Sequence, residues 1–344
     1  MRKKIFNSIF LLLVFGLTLY TVFRGENLKE VVNTIKGIDH MCLIPAAACV
    51  VLFVVCESIV IHYMLSTLNI NVSRTKCMLY SGVGFFFSAI TPSASGGQPM
   101  QIYYMNKDDI PLPVSTIVLM IVTITYKAVL IITAIGIIIF HPGFIYDNIE
   151  PVITFFYVGL LLSVSFCAAL LVVVFHPLLA RKIVICVERV LVKIHILKKK
   201  PERIKKLYDL MQQYYTAAAY LRSHKLVILK VQIITFVQRT LIFAVTWFVF
   251  KSFRLKGIPF YEILLLQSVI SVSADMLPFP GGMGISENLF LIIFTCIFNE
   301  NFILPGMILS RGISFYIQLI FCGMLTLIAH FYWAENKKNM KGKI

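Results

Sequence analysis

Charge is scarce in this chain. Asp, Glu, Lys and Arg make up 14% of its 344 residues, with 16 acids against 32 bases. A soluble domain carries about 25% charge. With 59% hydrophobic residues and a mean hydropathy of +0.86, a water-bathed fold is excluded and an integral membrane chain is defined. There is no GxxxxGK[S/T] loop, no HExxH and no GxSxG. Coupling through bound ATP, zinc hydrolysis and a serine nucleophile elbow therefore have no residues to rest on. The eight cysteines contain no CxxC pair, and Cys42, Cys49 and Cys56 fall at heptad spacing on one face of an apolar run. That is the pattern of core filling, not of metal or disulfide use. His40, His62, His141, His176, His195, His224 and His330 are dispersed without ligand spacing. No cofactor and no metal are expected.

What the chain does contain is long apolar runs. Residues 5–23, 41–65, 114–140, 152–176, 226–250 and 303–333 are each nearly free of charge. A helix needs about 20 such residues to cross the hydrocarbon layer, so six full spans are expected. The first follows Arg2-Lys3-Lys4 and has no small-residue cleavage site after it, which makes it an uncleaved span and not a signal peptide. The net charge of +16 is concentrated: 12 bases lie between Pro177 and Leu226, beside Glu188, Glu202 and Asp209. Clustering of this kind fits a cytoplasmic, lipid-facing segment better than nucleic-acid binding. Within it, Arg181 to Ile196 carries an apolar stripe opposite its bases. Pro201 suits the first turn of a helix to about Arg222, with Leu207, Leu210, Met211 and Tyr214 on one face. These helices read either as interfacial or as a solvated connector.

Two apolar stretches are interrupted. Thr91-Pro92-Ser93-Ala94-Ser95-Gly96-Gly97-Gln98-Pro99 breaks one, and Leu277-Pro278-Phe279-Pro280-Gly281-Gly282-Met283-Gly284 breaks the other. Broken backbone at membrane depth is tolerated only where protein or a wet cavity satisfies it. The Lys/Arg bias of the loops places both termini, the Arg74/Lys76 loop and the 178–225 segment in the cytoplasm. The Arg- and Lys-free loop His141–Pro151 then lies outside, as does Asn299-Glu300-Asn301. Residues 80–106 then begin and end inside, and residues 259–298 begin and end outside. Each break therefore sits on a re-entrant helical hairpin, one from each face, although Lys251, Arg254 and Lys256 are left outside against the charge rule. The order span, hairpin, span occurs twice, at 41–140 and, inverted, at 226–333, joined by the 178–225 connector. The expected fold is one all-α polytopic membrane domain over 1–344: six full spans, two re-entrant hairpins in an inverted repeat, and cytoplasmic amphipathic helices. Inverted repeats with midplane sites are a recurrent transporter design.

Six ionisable side chains fall at membrane depth: Glu57, Lys127, Arg239, Asp275, Glu287 and Arg311. Each costs about 2.5–3.5 kcal/mol at a helix centre, so they pair or face a hydrated cleft. Lys127, Arg239 and Arg311 come from three different spans and can converge on one phosphate, while the three carboxylates balance them or receive a substrate amine. Gly96, Gly97, Gly281 and Gly282 allow close backbone approach to a headgroup. Gln98 and Gln101 add neutral amides. These twelve residues are the expected substrate site, and none has a catalytic role.

Taken together, Thr91-Pro92 with Gly96-Gly97 and Pro99, Pro280-Gly281-Gly282 with Gly284 and Glu287, and Arg311 in the last span resemble the lysylphosphatidylglycerol synthase/flippase transmembrane family. That family forms the membrane domain of bacterial multiple peptide resistance factor proteins. The resemblance covers essentially the whole chain. It implies a bacterial cell-membrane protein tied to aminoacylated phosphatidylglycerol and to resistance against cationic antimicrobial peptides. Full-length members add a soluble domain that takes the aminoacyl group from tRNA, and this chain ends at Ile344 after its last span. The family often has an acid after the first Gly-Gly and a base shortly beyond. Gln98 and Gln101 stand there instead, so a different headgroup preference is expected. The leading expectation is a phospholipid translocator for a charged-headgroup lipid, with membrane phospholipid as partner and no nucleic acid. The alternatives are a phosphatidylglycerol lysyltransferase, which would need tRNA, or a membrane subunit of a separately encoded synthase.

Overall fold

In the computed structural model residues 33–140, 142–176, 186, 201–277 and 279–341 are described, and the regular elements among them are all helical. The expected span at 5–23, and the Arg181–Ile196 stripe apart from Cys186, lie outside the described residues. A 3-10 turn at His40–Cys42, opened by the Asp39 side chain on the Met41 N–H, leads into α1 (Leu43–Thr67). Then come α2 (Arg74–Ala89), α3 (Gly97–Lys107), α4 (Leu112–Phe140), α5 (Gly143–Ile149) and α6 (Ile153–Phe175). The second half holds α7 (Pro201–Ser223), α8 (Lys225–Ser252), α9 (Phe260–Ala274), α10 (Ile285–Ile293), α11 (Thr295–Arg311) and α12 (Gln318–Lys341).

Among the described residues, five helical stretches are long and apolar enough to cross a membrane: His40–Thr67, Leu112–Phe140, Ile145–Phe175, Lys225–Ser252 and Thr295–Trp333. They coincide with the five expected spans that fall on described residues. Side chains such as Leu52, Ile59, Ile132, Ile135, Leu161, Leu327 and Phe331 are exposed on them, the surface a lipid solvent demands. The chain is a multi-pass membrane protein.

The last span, expected over 303–333, is not a single regular helix. Helicity begins at Thr295, is interrupted at Asn299 (φ 56°, ψ 164°), and passes through a π-helical segment at Gly312–Ile317 before α12. Asn299-Glu300-Asn301, expected as a loop, is thus a break within a helix. The polar side chains there mark a change of direction that hydropathy alone does not distinguish from a chain reversal.

Around the two interruptions the helices are short. At 1.5 Å per residue, α2, α3, α9 and α10 are about 24, 16, 22 and 14 Å long, each less than the roughly 30 Å of hydrocarbon. α2 packs on α3, and α9 on α10. Helix α1 packs against α8 most extensively, with α4 beside both. Helix α7 docks on α4, α6 and α8 through Met211, Tyr214, Ala217 and Ala218, and the Tyr214 hydroxyl donates to the Val173 carbonyl at 3.2 Å. That is an observed seat for the second connector helix. Two large apolar cores form at opposite ends of the long helices. Between them lies a polar layer.

Candidate functional site

The polar layer follows from where the sequence puts its rare ionisable residues. Glu57, Lys127 and Arg239 each sit close to the midpoint of α1, α4 and α8, and all three are buried. Each has buried apolar residues within two turns on its own helix: Val54 and Val60 for Glu57, Ile121 and Leu130 for Lys127, Phe243 for Arg239.

The two Pro/Gly breaks meet at this layer. The 3-10 turn Pro92–Ala94 packs against the 3-10 turn Pro280–Gly282, so segments 186 residues apart in sequence lie side by side. The first break is knitted by hydroxyls. Thr91 Oγ1 donates to the Phe87 carbonyl at 2.6 Å and accepts the Gly96 N–H at 2.9 Å, and Ser95 Oγ donates to the Pro92 carbonyl at 2.9 Å. Gly97 is there for space: a Cβ would overlap Ser88 Oγ and stand 2.6 Å from the Gly84 carbonyl oxygen, so only Gly lets α3 close on α2.

Charge knits the second break. Glu287 Oε2 accepts the Gly284 N–H at 2.7 Å, capping α10, and Glu287 Oε1 accepts from Arg311 Nε at 2.8 Å. Arg311 Nη2 donates to the Gly281 carbonyl at 2.9 Å. Gly281, Gly282 and Gly284 have φ of 57°, 67° and 84°. A Cβ on Gly281 would also run into the Phe315 ring. Asp275, at the end of α9, is ion-paired to Lys127 of α4. The Gly284 N–H and the Gly281 carbonyl, freed by the break, are thus satisfied by side chains.

A cavity of about 230 Å³ opens between the two breaks. Ser88, Ala89 and Ala94 line it from the first break, and Asp275, Leu277, Phe279, Gly281 and Gly282 from the second. Tyr126, Arg239, Arg311, Phe315 and Gln318 also line it. Of the twelve expected site residues, Arg239, Asp275, Gly281, Gly282 and Arg311 are therefore on one cavity wall. Lys127 reaches it through Asp275, and Glu287 through Arg311. Gly96 and Gly97 lie behind it in the α2–α3 contact. Gln98 donates to Thr123 of α4, on an exposed face. Gln101 is buried and donates to Glu57 Oε1 at 3.0 Å, away from the wall.

The three cations differ in what holds them. Lys127 and Arg311 each have a carboxylate. Arg239 has none within 4 Å among the described residues, and its Nε and Nη2 are buried without a hydrogen-bond partner. Its guanidinium lies over the Tyr126 ring, 3.3 Å from the centroid, a cation–π contact that leaves the Nε and Nη2 donors unused.

Tyr126 was missed by sequence reasoning, although an aromatic next to a mid-span Lys was a usable signal. The cluster of Lys76, Tyr80 and Asp108 was missed as well. Lys76 Nζ lies 2.5 Å from Asp108 Oδ1, and Tyr80 donates to the same carboxylate. This ties the start of α2 to the end of α3 and so closes the first break's flanking helices at their open end.

Fold and site together define a polytopic helical membrane protein with a polar cavity at two touching helix breaks. Residues 8–322 match the family described as lysylphosphatidylglycerol synthase TM region, and the chain belongs to that family. No curated protein matches it. Membership ties the chain to lysylphosphatidylglycerol lipid handling.

Proposed function

We propose that the protein is a phospholipid translocator of the bacterial cell membrane, acting on aminoacylated phosphatidylglycerol or a related charged-headgroup lipid. α2–α3 and α9–α10 are its two re-entrant hairpins, placed in inverted repeats at 41–140 and 226–333, with both termini cytoplasmic. The short lengths of these four helices support the hairpin assignment. The observation that carries the function is Arg239: a buried guanidinium without a carboxylate, on the wall of a cavity framed by both breaks. A buried cation with unused donors is costly until an anion arrives, and a phosphodiester supplies the matching acceptors. At about 230 Å³ the cavity falls below the range of roughly 300–1,000 Å³ that engulfs drug-sized ligands. It suits a headgroup whose tails stay in the bilayer. Movement of an aminoacylated lipid to the outer leaflet would lower the membrane's affinity for cationic antimicrobial peptides.

The test is reconstitution into liposomes with fluorescent phosphatidylglycerol and lysylphosphatidylglycerol, reading headgroup accessibility on each leaflet. Arg239→Ala is expected to slow exchange about 10- to 100-fold, the worth of one charge-assisted contact, with Arg239→Lys in between. Exchange at the wild-type rate in Arg239→Ala overturns the site. The family's description as a synthase membrane region favours a second reading, a membrane part serving lysyl transfer. Lysyl transfer from charged tRNA to phosphatidylglycerol by the purified chain, with no lipid exchange, would establish that reading instead.

A further inference from the structure

Lys251, Arg254 and Lys256 take no part in the polar layer, and the loop-charge reading leaves them outside against the positive-inside rule. They sit where α8 ends. With the start of α1 they bound a second cavity, of about 570 Å³, that shares no lining residue with the one at the helix breaks. Lys251 lies about 18 Å beyond Arg239 along the α8 axis, so the two cavities open at different depths. The walls of the second are apolar, from Met41 and Pro45 of the first turns and Trp247 and Phe248 of α8, and the three bases rim it.

Nothing on the described chain neutralises that rim. No carboxylate lies within 4 Å of any of the three bases among the described residues. Asp39 and Glu262, on the adjoining segments, accept instead from the Met41 N–H and the Tyr261 hydroxyl. Lys251 Nζ stands 5.4 Å from the Trp247 ring centroid, which keeps its charge at the groove. The level is that of lipid headgroups: Trp247 meets Phe260 edge-on with centroids 5.2 Å apart, and Tyr261 next to it is exposed, as in the aromatic belt of a membrane boundary. Met41 and Ile44 are exposed beside the opening, so the groove continues into lipid-facing surface.

We propose that this groove holds one anionic phospholipid of the phosphatidylglycerol type, with its phosphate on Lys251, Arg254 and Lys256 and an acyl chain along Pro45, Trp247 and Phe248. The lipid is a resident of this site and is independent of any cargo at Arg239. An apolar groove under a basic rim matches both halves of one amphiphile. The charge-free run 5–23 would fill the groove but bring no counter-charge to the rim. A second copy seated through the same face would set three bases against three bases. A lysylated headgroup carries net positive charge and is repelled there, so the groove distinguishes phosphatidylglycerol from its aminoacylated form. On the proposed orientation it faces the outer leaflet, and the lipid supplies the counter-charge that lets three bases stay on that side.

The chain has two tryptophans, Trp247 and Trp333, and Trp333→Phe leaves Trp247 as the sole reporter in the groove. The purified full chain carrying that change is placed in phosphatidylcholine vesicles containing a low mole fraction of acyl-brominated phosphatidylglycerol, phosphatidylcholine or lysylphosphatidylglycerol, and Trp247 fluorescence is read. Brominated phosphatidylglycerol is expected to reach half-maximal quenching at a mole fraction about tenfold or more below the other two. Adding Lys251→Gln, Arg254→Asn and Lys256→Gln is expected to abolish that preference; Asn is chosen because position 254 has φ 59°. Equal quenching by all three lipids in the protein with its bases intact overturns the site. Absence of quenching by any of them assigns the groove to protein, whether residues 5–23 or a second copy, and overturns it too. Preference that persists without the three bases overturns their role, and lysylphosphatidylglycerol quenching as well as phosphatidylglycerol overturns the discrimination. Full relief of quenching by millimolar glycerol phosphate assigns the rim to a soluble anion and overturns the lipid. Should Trp333→Phe not fold, spin-labelled forms of the same lipids on the wild type give the motionally restricted fraction, and equal fractions overturn the site.

Discussion

The two breaks touch each other and carry similar sequences, yet they are built from different materials. The first is held by neutral groups: Thr91, Ser95 and Ser88 on backbone carbonyls, Gln98 on Thr123, Gln101 on Glu57. The second is held by ions, with Glu287 on Arg311 and Asp275 on Lys127. Their glycines differ in the same way. In the first, Gly97 supplies room and the single left-handed residue of the turn is Ala94, at φ 53°; in the second, three glycines supply left-handed backbone. Two ways of ending a helix in apolar surroundings therefore lie against one cavity. A charged ligand can compete with Glu287 and Asp275 for their cations, whereas it has nothing to exchange with a hydroxyl on a carbonyl. On the proposed function, the ionic break is the responsive wall and the neutral one the frame.

The contrast can be broken at its strongest point first. Glu287→Ala strips the cap from α10 and the partner from Arg311, and a buried pair that loses one member costs about 3–5 kcal/mol. Unfolding by sodium dodecyl sulfate in mixed micelles should show that loss. Gly281→Ala meets both left-handed strain and the Phe315 ring, for about 2–4 kcal/mol in the same assay. On the neutral side, Gln101→Ala removes the amide that donates to Glu57 and should cost about 1–3 kcal/mol. Smallest of all, Ala94→Gly relieves left-handed strain but loosens the unfolded chain, for a net gain of up to about 1 kcal/mol. If Gln101→Ala proves as damaging as Glu287→Ala, the division into frame and responsive wall fails.

The long helices were legible because an apolar run of span length has one solution in lipid. The positions of both breaks were legible because Pro and Gly-Gly leave the chain little choice. What escaped was pairing. Lys127 finds Asp275 148 residues away, and no local pattern selects Asp275 over Glu287 as its partner. The expectation that all three cations converge on one anion follows from charge alone. Geometry divides them into two engaged and one unengaged. Gln98 and Gln101 were expected to act together on a headgroup, but they lie three residues apart on α3, and that spacing is not enough to decide which of them faces a cavity. The polar run Asn299-Glu300-Asn301 pointed to the interruption at Asn299 but not to its lying within a helix, and the π-helical segment left no local signature.

That π-helical segment, Gly312–Ile317, lies between Arg311 on the cavity and Trp333, which stacks on Tyr80 at the far end of α12. A π turn carries a surplus residue. If the surplus were released into α-helix, everything beyond it would rotate by about 100° and advance by about 1.5 Å, since an α-helix has 3.6 residues per turn. Phe315 sits inside the segment and on the cavity wall, so what fills the cavity bears directly on that surplus. The last helix is geared in this sense: a slip of one residue beside the cavity would become roughly a quarter-turn at Trp333, where α12 meets α2 and α3.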